Sequence, residues 1–338
     1  MASGGKILLA HGGGGRLTEE LIRSVILPVF DNQTLSGLTD SAELELDAKS
    51  ICFTTDSYVI KPLFFNGGDI GKLAVCGTLN DLAVSGAKPI AISMALIIEE
   101  GLEIEILRKI LISAAQTAKR QNVPIVCGDT KVVEAGGVDK LFINTSGIGT
   151  KIPQAKLGFS QISPGDAIIV SGTIGDHGMT IMSQREGIKF ESSLKSDCAA
   201  VTEICIGLVE TFGSDIKFMR DPTRGGLSAT LNEIANQANC GVEIYEEKLP
   251  VNPTVRAAAE ILGFDILEIA NEGKVVAVVA AQKAQSCLDF CRSLQIGRDA
   301  AIIGNIAESD YLLVELETFI KGRRIVQMPY GRELPRIC

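Results

Sequence analysis

The sequence predicts a two-domain chain, an α+β unit followed by an α/β unit. Three observations lead there. The chain has 338 residues, about the length of two ordinary domains. Short apolar runs suited to strands alternate with longer stretches of helical spacing. A turn cluster, Ser163-Pro164-Gly165-Asp166, divides the alternation into two halves.

In the first half, a helix is expected at 17–25, after a glycine-rich opening. Residues 50–55 (SICFTT) read as a strand that closes at Asp56. Residues 70–85 read as a helix stopped by Ala87-Lys88-Pro89, and 90–98 as an apolar strand. Over 104–120, Leu107, Ile110, Leu111, Ala114 and Ala118 fall at helical spacing. Strands follow at 123–127, closing at Gly128-Asp129, and at 141–149. In the second half, strands are expected at 167–171, 241–245, 274–279, 301–303 and 312–314. Its helices are expected at 177–186, 199–212, 225–239, 254–262 and 284–294. The last segment carries Pro329, Gly331 and Pro335 without periodicity and reads as a mobile tail. The expected divisions are a leader and helix at 1–40, domains at 41–155 and 156–326, and a tail at 327–338.

Composition narrows the function. The chain is 46% hydrophobic and 22% charged, with a net charge of −9 and no Lys/Arg-rich stripe, so nucleic acid is a poor partner. An acidic protein that handles an anionic substrate needs metal ions or backbone amides to offset repulsion. The longest apolar run, near 90–98, is too short to span a bilayer, and 7–10 is too short for a signal-peptide core. The nine cysteines are scattered, with no CxxC and no Cys/His cluster, which fits a reducing cytoplasm.

Candidate chemistry gathers in motifs. Asp56 (TTDSY), Asp81 (NDL) and Asp129 (CGDTK) come from three elements and are candidate Mg²⁺ ligands, since that ion prefers oxygen donors shared with phosphates. Strand-ending aspartates also simply turn chains. Asp81 beside Asn80 is harder to explain that way, because an Asn-Asp pair inside a helix has a propensity cost. Gly13, Gly14 and Gly15, in HGGGGR before a helix, could present backbone N–H groups to phosphates, or form a floppy leader. Arg224, in DPTRGGL, could reach a phosphate or sit on the surface. Lys131 and Glu272 read more readily as solvated charges than as catalytic groups. His177 reads as a structural histidine at a helix start.

Together these segments resemble a known family. TTDSYVIKPLFF, GGDIGKLAVCGTLNDLAVSGAKP, PIVCGDTKVV, GTIGDHG, DPTRGGL, NEG and the final PRIC are similar to the HypE carbamoyl dehydratases of [NiFe]-hydrogenase maturation. The wider PurM-like (aminoimidazole ribonucleotide synthetase) superfamily shares the aspartates and NDL, but not the final cysteine. The resemblance implies an N-terminal ATP-binding domain that dimerises into a barrel-like sheet. A C-terminal α/β domain would pack on it, with ATP in the cleft. Asp56, Asp81 and Asp129 would hold Mg²⁺ and phosphate, with Asn80 beside them and the glycine-rich leader above.

The resemblance also implies a reaction. A carbamoyltransferase, HypF, would load a carbamoyl group onto the Cys338 sulfur. ATP would phosphorylate its oxygen, a base would remove the nitrogen proton, and phosphate would leave a thiocyanate. The cyano group would pass to iron on a HypC–HypD complex. Glu272 as base and Lys131 as its charge partner complete the expected catalytic set. Other readings of the same residues are a thiamine-monophosphate kinase or another superfamily synthetase, a non-catalytic assembly scaffold, and a cysteine metal or redox protein.

Overall fold

The computed structural model describes residues 5–12, 16–30, 33–36, 44, 46, 50–187, 194–309, 311–329 and 337–338. A four-stranded sheet is built from β1 (Ile51–Tyr58), β2 (Ala87–Glu99), β3 (Ile125–Val133) and β4 (Leu141–Lys151), in the order β1-β4-β2-β3. Only β2 and β3 run parallel. Helices α1 (Ile70–Val84) and α2 (Ile104–Arg120) cover one face. The other face is open among the described residues: Phe53 is 68% exposed and Ile51 53%.

Helix α1 is apolar nearly all round, and 13 of its 15 residues are buried, as expected of a helix walled in on every side. It starts where the Asp69 carboxylate accepts from the N–H groups of Gly71 and Lys72. Besides the sheet and α2, it touches α4 (Thr202–Phe212) of the second half. One helix is therefore a wall shared by both halves.

Three boundaries differ from expectation in ways that matter. Ala87-Lys88-Pro89 opens β2 instead of ending a helix, because a register shift between Pro89 and Ala91 absorbs the missing proline N–H. Strand β1 continues through Asp56 to Tyr58, paired throughout with β4. Strand β3 likewise runs past Gly128 and Asp129 to Val133, beside β2. Both aspartates thus stand inside strands, where their neighbours fix the face they occupy.

The second half is a seven-stranded sheet. Its strands are β5 (Ala167–Val170), β6 (Ile216–Arg220), β7 (Gly241–Tyr245), β8 (Val276–Val279), β9 (Ala301–Ala307), β10 (Val314–Glu317) and β11 (Arg323–Ile325). Their order is β11-β10-β7-β9-β5-β8-β6. Besides α4, its helices are α3 (Asp176–Arg185), α5 (Gly226–Ala238), α6 (Pro253–Leu262) and α7 (Ala284–Ser293). The two edge strands β6 and β11 escape the sequence pattern, because Lys217, Arg220, Arg323 and Arg324 break their apolar runs. Edge strand β6 also contacts α1, and so brings the second sheet to the first. No helix is long and apolar enough to cross a membrane among the described residues.

Candidate active site

The seam between the two sheets gathers four acidic side chains. Thr54 donates to Asp81 Oδ2 at 2.8 Å, which ties the exposed end of α1 to β1. Asp56 shares the helix-side face of β1 with Thr54 and Tyr58, two residues away on either side. Asp221 follows directly on β6, and Glu272 lies in the loop before β8. Burial raises the carboxyl pKa of Asp81, with Asp56 adding repulsion. Burial likewise pushes Asp221 up to about 7, with Asp81 next in effect. Glu272, 3% exposed, is raised well above the usual range by burial and then by Asp221, Asp197 and Asp56. Beside Asp81 and Asp221, with Thr54, Phe218 and Arg220, a cleft of roughly 380 Å³ opens to solvent.

Each letter of the NEGK motif has a position to hold. Asn271 accepts from Gly175 N–H at 2.8 Å and donates to the Pro222 carbonyl at 2.9 Å, joining the start of α3 to the Asp221 turn. Gly273 passes so close to the main chain that a Cβ there would meet the Asp197 carbonyl at 2.0 Å. Lys274 pairs with buried Asp197 at 3.3 Å, and Asp197 also accepts the Glu272 N–H at 3.2 Å. This holds Glu272 in place, yet its Oε1 is buried without a hydrogen-bond partner. A buried orphan acceptor of this kind is costly unless a ligand completes it.

The end of the chain comes to this place. Ile337 is 3% exposed and packs in the core of the first half. Its carbonyl lies 2.8 Å from His177 Nε2, and Val59 N–H donates to the Cys338 main-chain oxygen at 3.2 Å. Burial pushes the Cys338 thiol up to about 12; the Glu272 charge adds to this, and Arg224 opposes it. The Arg224 guanidinium also lies 4.0 Å from Asp56. Arg224, Glu272, Asp56 and Cys338 thus act on one another. Of the expected tail, 330–336, with Gly331, lie outside the described residues. So do Gly13, Gly14 and Gly15.

Other expected site residues are placed differently. Asn80 accepts from Val201 N–H at 2.8 Å and donates to the Ala199 carbonyl at 3.1 Å. It spends its amide fastening α1 to the second half, and shapes the site from behind. Asp129 does not join Asp56 and Asp81. It lies in the cross-strand row of Ala95, Asn144 and Ser57, on the open face. Three strand spacings of about 4.8 Å put it roughly 14 Å from β1. Accordingly, no group of three or more His, Cys, Asp or Glu suited to a metal exists among the described residues of one chain. Lys131 pairs with Asp129 at 3.1 Å and is not among the charges that act most on Glu272. Asp221 went unread in the sequence, although it closes a strand just as Asp56 had been expected to.

Models of AIR synthase related proteins match over two stretches, the N-terminal domain at residues 38–150 and the C-terminal domain at 163–316. The carbamoyl dehydratase HypE of Bradyrhizobium diazoefficiens is 46% identical over 334 residues, which cover 99% of this chain and 96% of that protein. A solved structure of the hydrogenase maturation protein HypE in complex with ATP superposes with a TM-score of 0.94. It is 42% identical, covering 98% of this chain and all of the other. A chain from a HypE–HypF complex is 48% identical, with a TM-score of 0.81, over 91% of this chain and 99% of that one.

Proposed function

The chain belongs to the HypE family of hydrogenase maturation proteins, within the AIR synthase related fold, and from that premise we propose that it is an ATP-dependent carbamoyl dehydratase whose carrier is Cys338. The observation that carries this reading is the orphaned Glu272 Oε1, close enough to the docked Cys338 to raise its thiol pKa. A carbamoyl group on that sulfur supplies what the pocket lacks, an N–H donor for a buried carboxyl oxygen.

The steps balance as follows. The carbamoyl oxygen attacks the terminal phosphorus of ATP, forming a C–O–P linkage and releasing ADP. Phosphorylation turns a poor leaving group into a good one. One N–H proton leaves to solvent with that phosphorylation, giving S–C(=NH)–O–phosphate, and the nitrogen then loses its last proton as the C–O bond breaks, leaving S–C≡N and inorganic phosphate. Glu272 takes a proton; a carboxyl with a raised pKa is a stronger base than an ordinary one once ionised. Arg224, near both Asp56 and Cys338, would offset the charge that develops on the phosphorylated oxygen. The docked thiol, pushed up to about 12, is a poor nucleophile, so loading by a HypF carbamoyltransferase takes place with the tail withdrawn. Delivery of the cyano group to a HypC–HypD acceptor needs the same withdrawal.

A Mg²⁺ ion takes oxygen donors that it shares with phosphates, so Asp56 and Asp81 would hold it together with the ATP phosphates and offset their charge there. Asp129 belongs to the same set only if the protein is a homodimer. The open sheet face with Phe53, Ile51 and Ile97 is an apolar surface with a polar surround, where Asn144 Nδ2 reaches Ser57 Oγ at 3.0 Å. A two-fold pairing of these faces into one barrel would bring Asp129 of one copy toward the aspartates of the other. Lys131 would travel with it, which is how it could serve as charge partner to Glu272 across the interface.

The test follows the C-terminal peptide by mass spectrometry. With carbamoyl donor and HypF, Cys338 gains a carbamoyl group, and on addition of ATP it loses one water. Glu272→Gln is expected to load and to bind ATP normally, while losing water at least about 100-fold more slowly, the lower range for removing a general base. Modification of another cysteine, or normal water loss in Glu272→Gln, defeats the assignment.

A further inference from the structure

His177 is fully buried at the start of α3, and its ring is wired at both nitrogens. Nε2 lies 2.8 Å from the Ile337 carbonyl, and Nδ1 lies 2.8 Å from Ser196 Oγ. A carbonyl can only accept, so Nε2 carries the hydrogen. The neutral ring then has Nδ1 free to accept, and the Ser196 hydroxyl donates to it. Ser196 Oγ in turn accepts the Cys198 N–H at 3.0 Å. The tautomer is therefore fixed by a line of hydrogen bonds in which Cys198 N–H donates to Ser196, Ser196 to His177 and His177 to the Ile337 carbonyl. Phe65 packs edge-on against the ring, with centroids 5.5 Å apart, which holds its plane. Burial lowers the imidazole pKa and keeps the ring neutral, as this line requires.

The same line has a consequence when the tail leaves. His177 Nε2–H then loses the partner that the docked tail gives it, at a ring that is fully buried while the tail is in place. Such a group favours redocking. The carbonyl it grips is one residue before the carrier cysteine, so the grip sets where the sulfur lies relative to Glu272.

We propose that His177 is the positioning residue for the carrier. It holds the Ile337 carbonyl through Nε2–H and thereby presents Cys338 to Glu272 for the elimination step. This deepens the dehydratase reading and rests on it for its kinetic part. Its docking part stands alone, because occupancy of the pocket is measurable without any reaction.

Two arms test it, with His177→Phe and His177→Gln checked for folding by thermal denaturation. The first arm alkylates the purified protein with iodoacetamide and reads Cys338 on its peptide. His177→Phe keeps a ring but no donor, and Cys338 should react roughly tenfold faster than in the wild type, the scale of one hydrogen bond. His177→Gln restores an N–H near the Nε2 position and should stay within about threefold of wild type. In the second arm, pre-carbamoylated protein undergoes a single turnover with ATP. His177→Phe should lose water roughly tenfold more slowly, at unchanged ATP affinity and unslowed carbamoyl loading. If His177→Phe does not fold, Ser196→Ala loosens the ring from the far side and should speed alkylation about threefold. Alkylation at the wild-type rate in the folded variant overturns the proposal, as does a loss of ATP affinity that accounts for the slower turnover. A wild type that forms no thiocyanate defeats the dehydratase reading, and the alkylation arm still decides the role of His177.

Discussion

Asp221 shows what the acidic seam costs at the scale of one residue. Its carboxyl pKa, pushed up to about 7 chiefly by burial, lies above that of an unfolded aspartate, near 4. The native state therefore binds the proton more tightly than the unfolded one. The stability from that proton is complete below about pH 4 and is lost as pH rises through 7. Asp221→Asn removes the penalty without changing the shape. Without nucleotide, its melting temperature should exceed the wild type's by about 2–4 °C at pH 8, for about 1 kcal/mol, and converge with it near pH 4. A gap that stays constant from pH 4 to 8 would show that ionisation is not the cause. Residue chemistry of this kind was half legible in the sequence. Asp56 and Asp81 stand out in the sequence by their motifs. Asp221 was hidden because β6 has two cations among five residues and did not read as a strand, so nothing marked its end.

At the scale of an element, α1 and β1 constrain each other at Gly77. A Cβ at this position would meet the Tyr58 hydroxyl at 2.1 Å, and Tyr58 is itself 1% exposed. Neither side can give way without shifting a strand that carries Asp56 or a helix that carries Asp81. Gly77→Ala raises helix propensity by about 1 kcal/mol, yet overpacking here costs about 1–3 kcal/mol and should win. Urea denaturation should show a net loss of stability and weaker ATP binding; a stabilised variant would mean that the close approach is slack. Elements with strong periodicity were easy to read: α2 occupies the residues its apolar spacing marks. Boundaries set by tertiary pairing were not. The bulge that admits Pro89 into β2, and the extension of β1 and β3 beyond their aspartates, depend on neighbours distant in sequence.

The whole molecule is where a shared site would declare itself. If Asp129 serves the partner's Asp56 and Asp81, Asp81→Asn and Asp129→Asn are each inactive as homodimers, yet complementary when mixed. A 1:1 mixture exchanged to equilibrium puts half its chains' sites in heterodimers, where one site of two is intact. About a quarter of wild-type ATP turnover should return. No recovery, with subunit exchange verified by light scattering and mass spectrometry, would confine the site to one chain. In the sequence, only the resemblance points to a site shared between two copies. No motif spacing could show that Asp129 points away from Asp56, because the face of a strand residue depends on its register.

The docked end is gripped by its main chain. Val59 and His177 hydrogen-bond the main-chain oxygens of Cys338 and Ile337. If Cys338 is the carrier, such a lock draws no distinction between an empty, a loaded and a finished sulfur, and the tether would keep each near the seat at high effective concentration. An unloaded tail would then compete for the site of its own enzyme. Turnover would then follow the partners that compete for the tail, with donor and acceptor concentrations acting as the throttle.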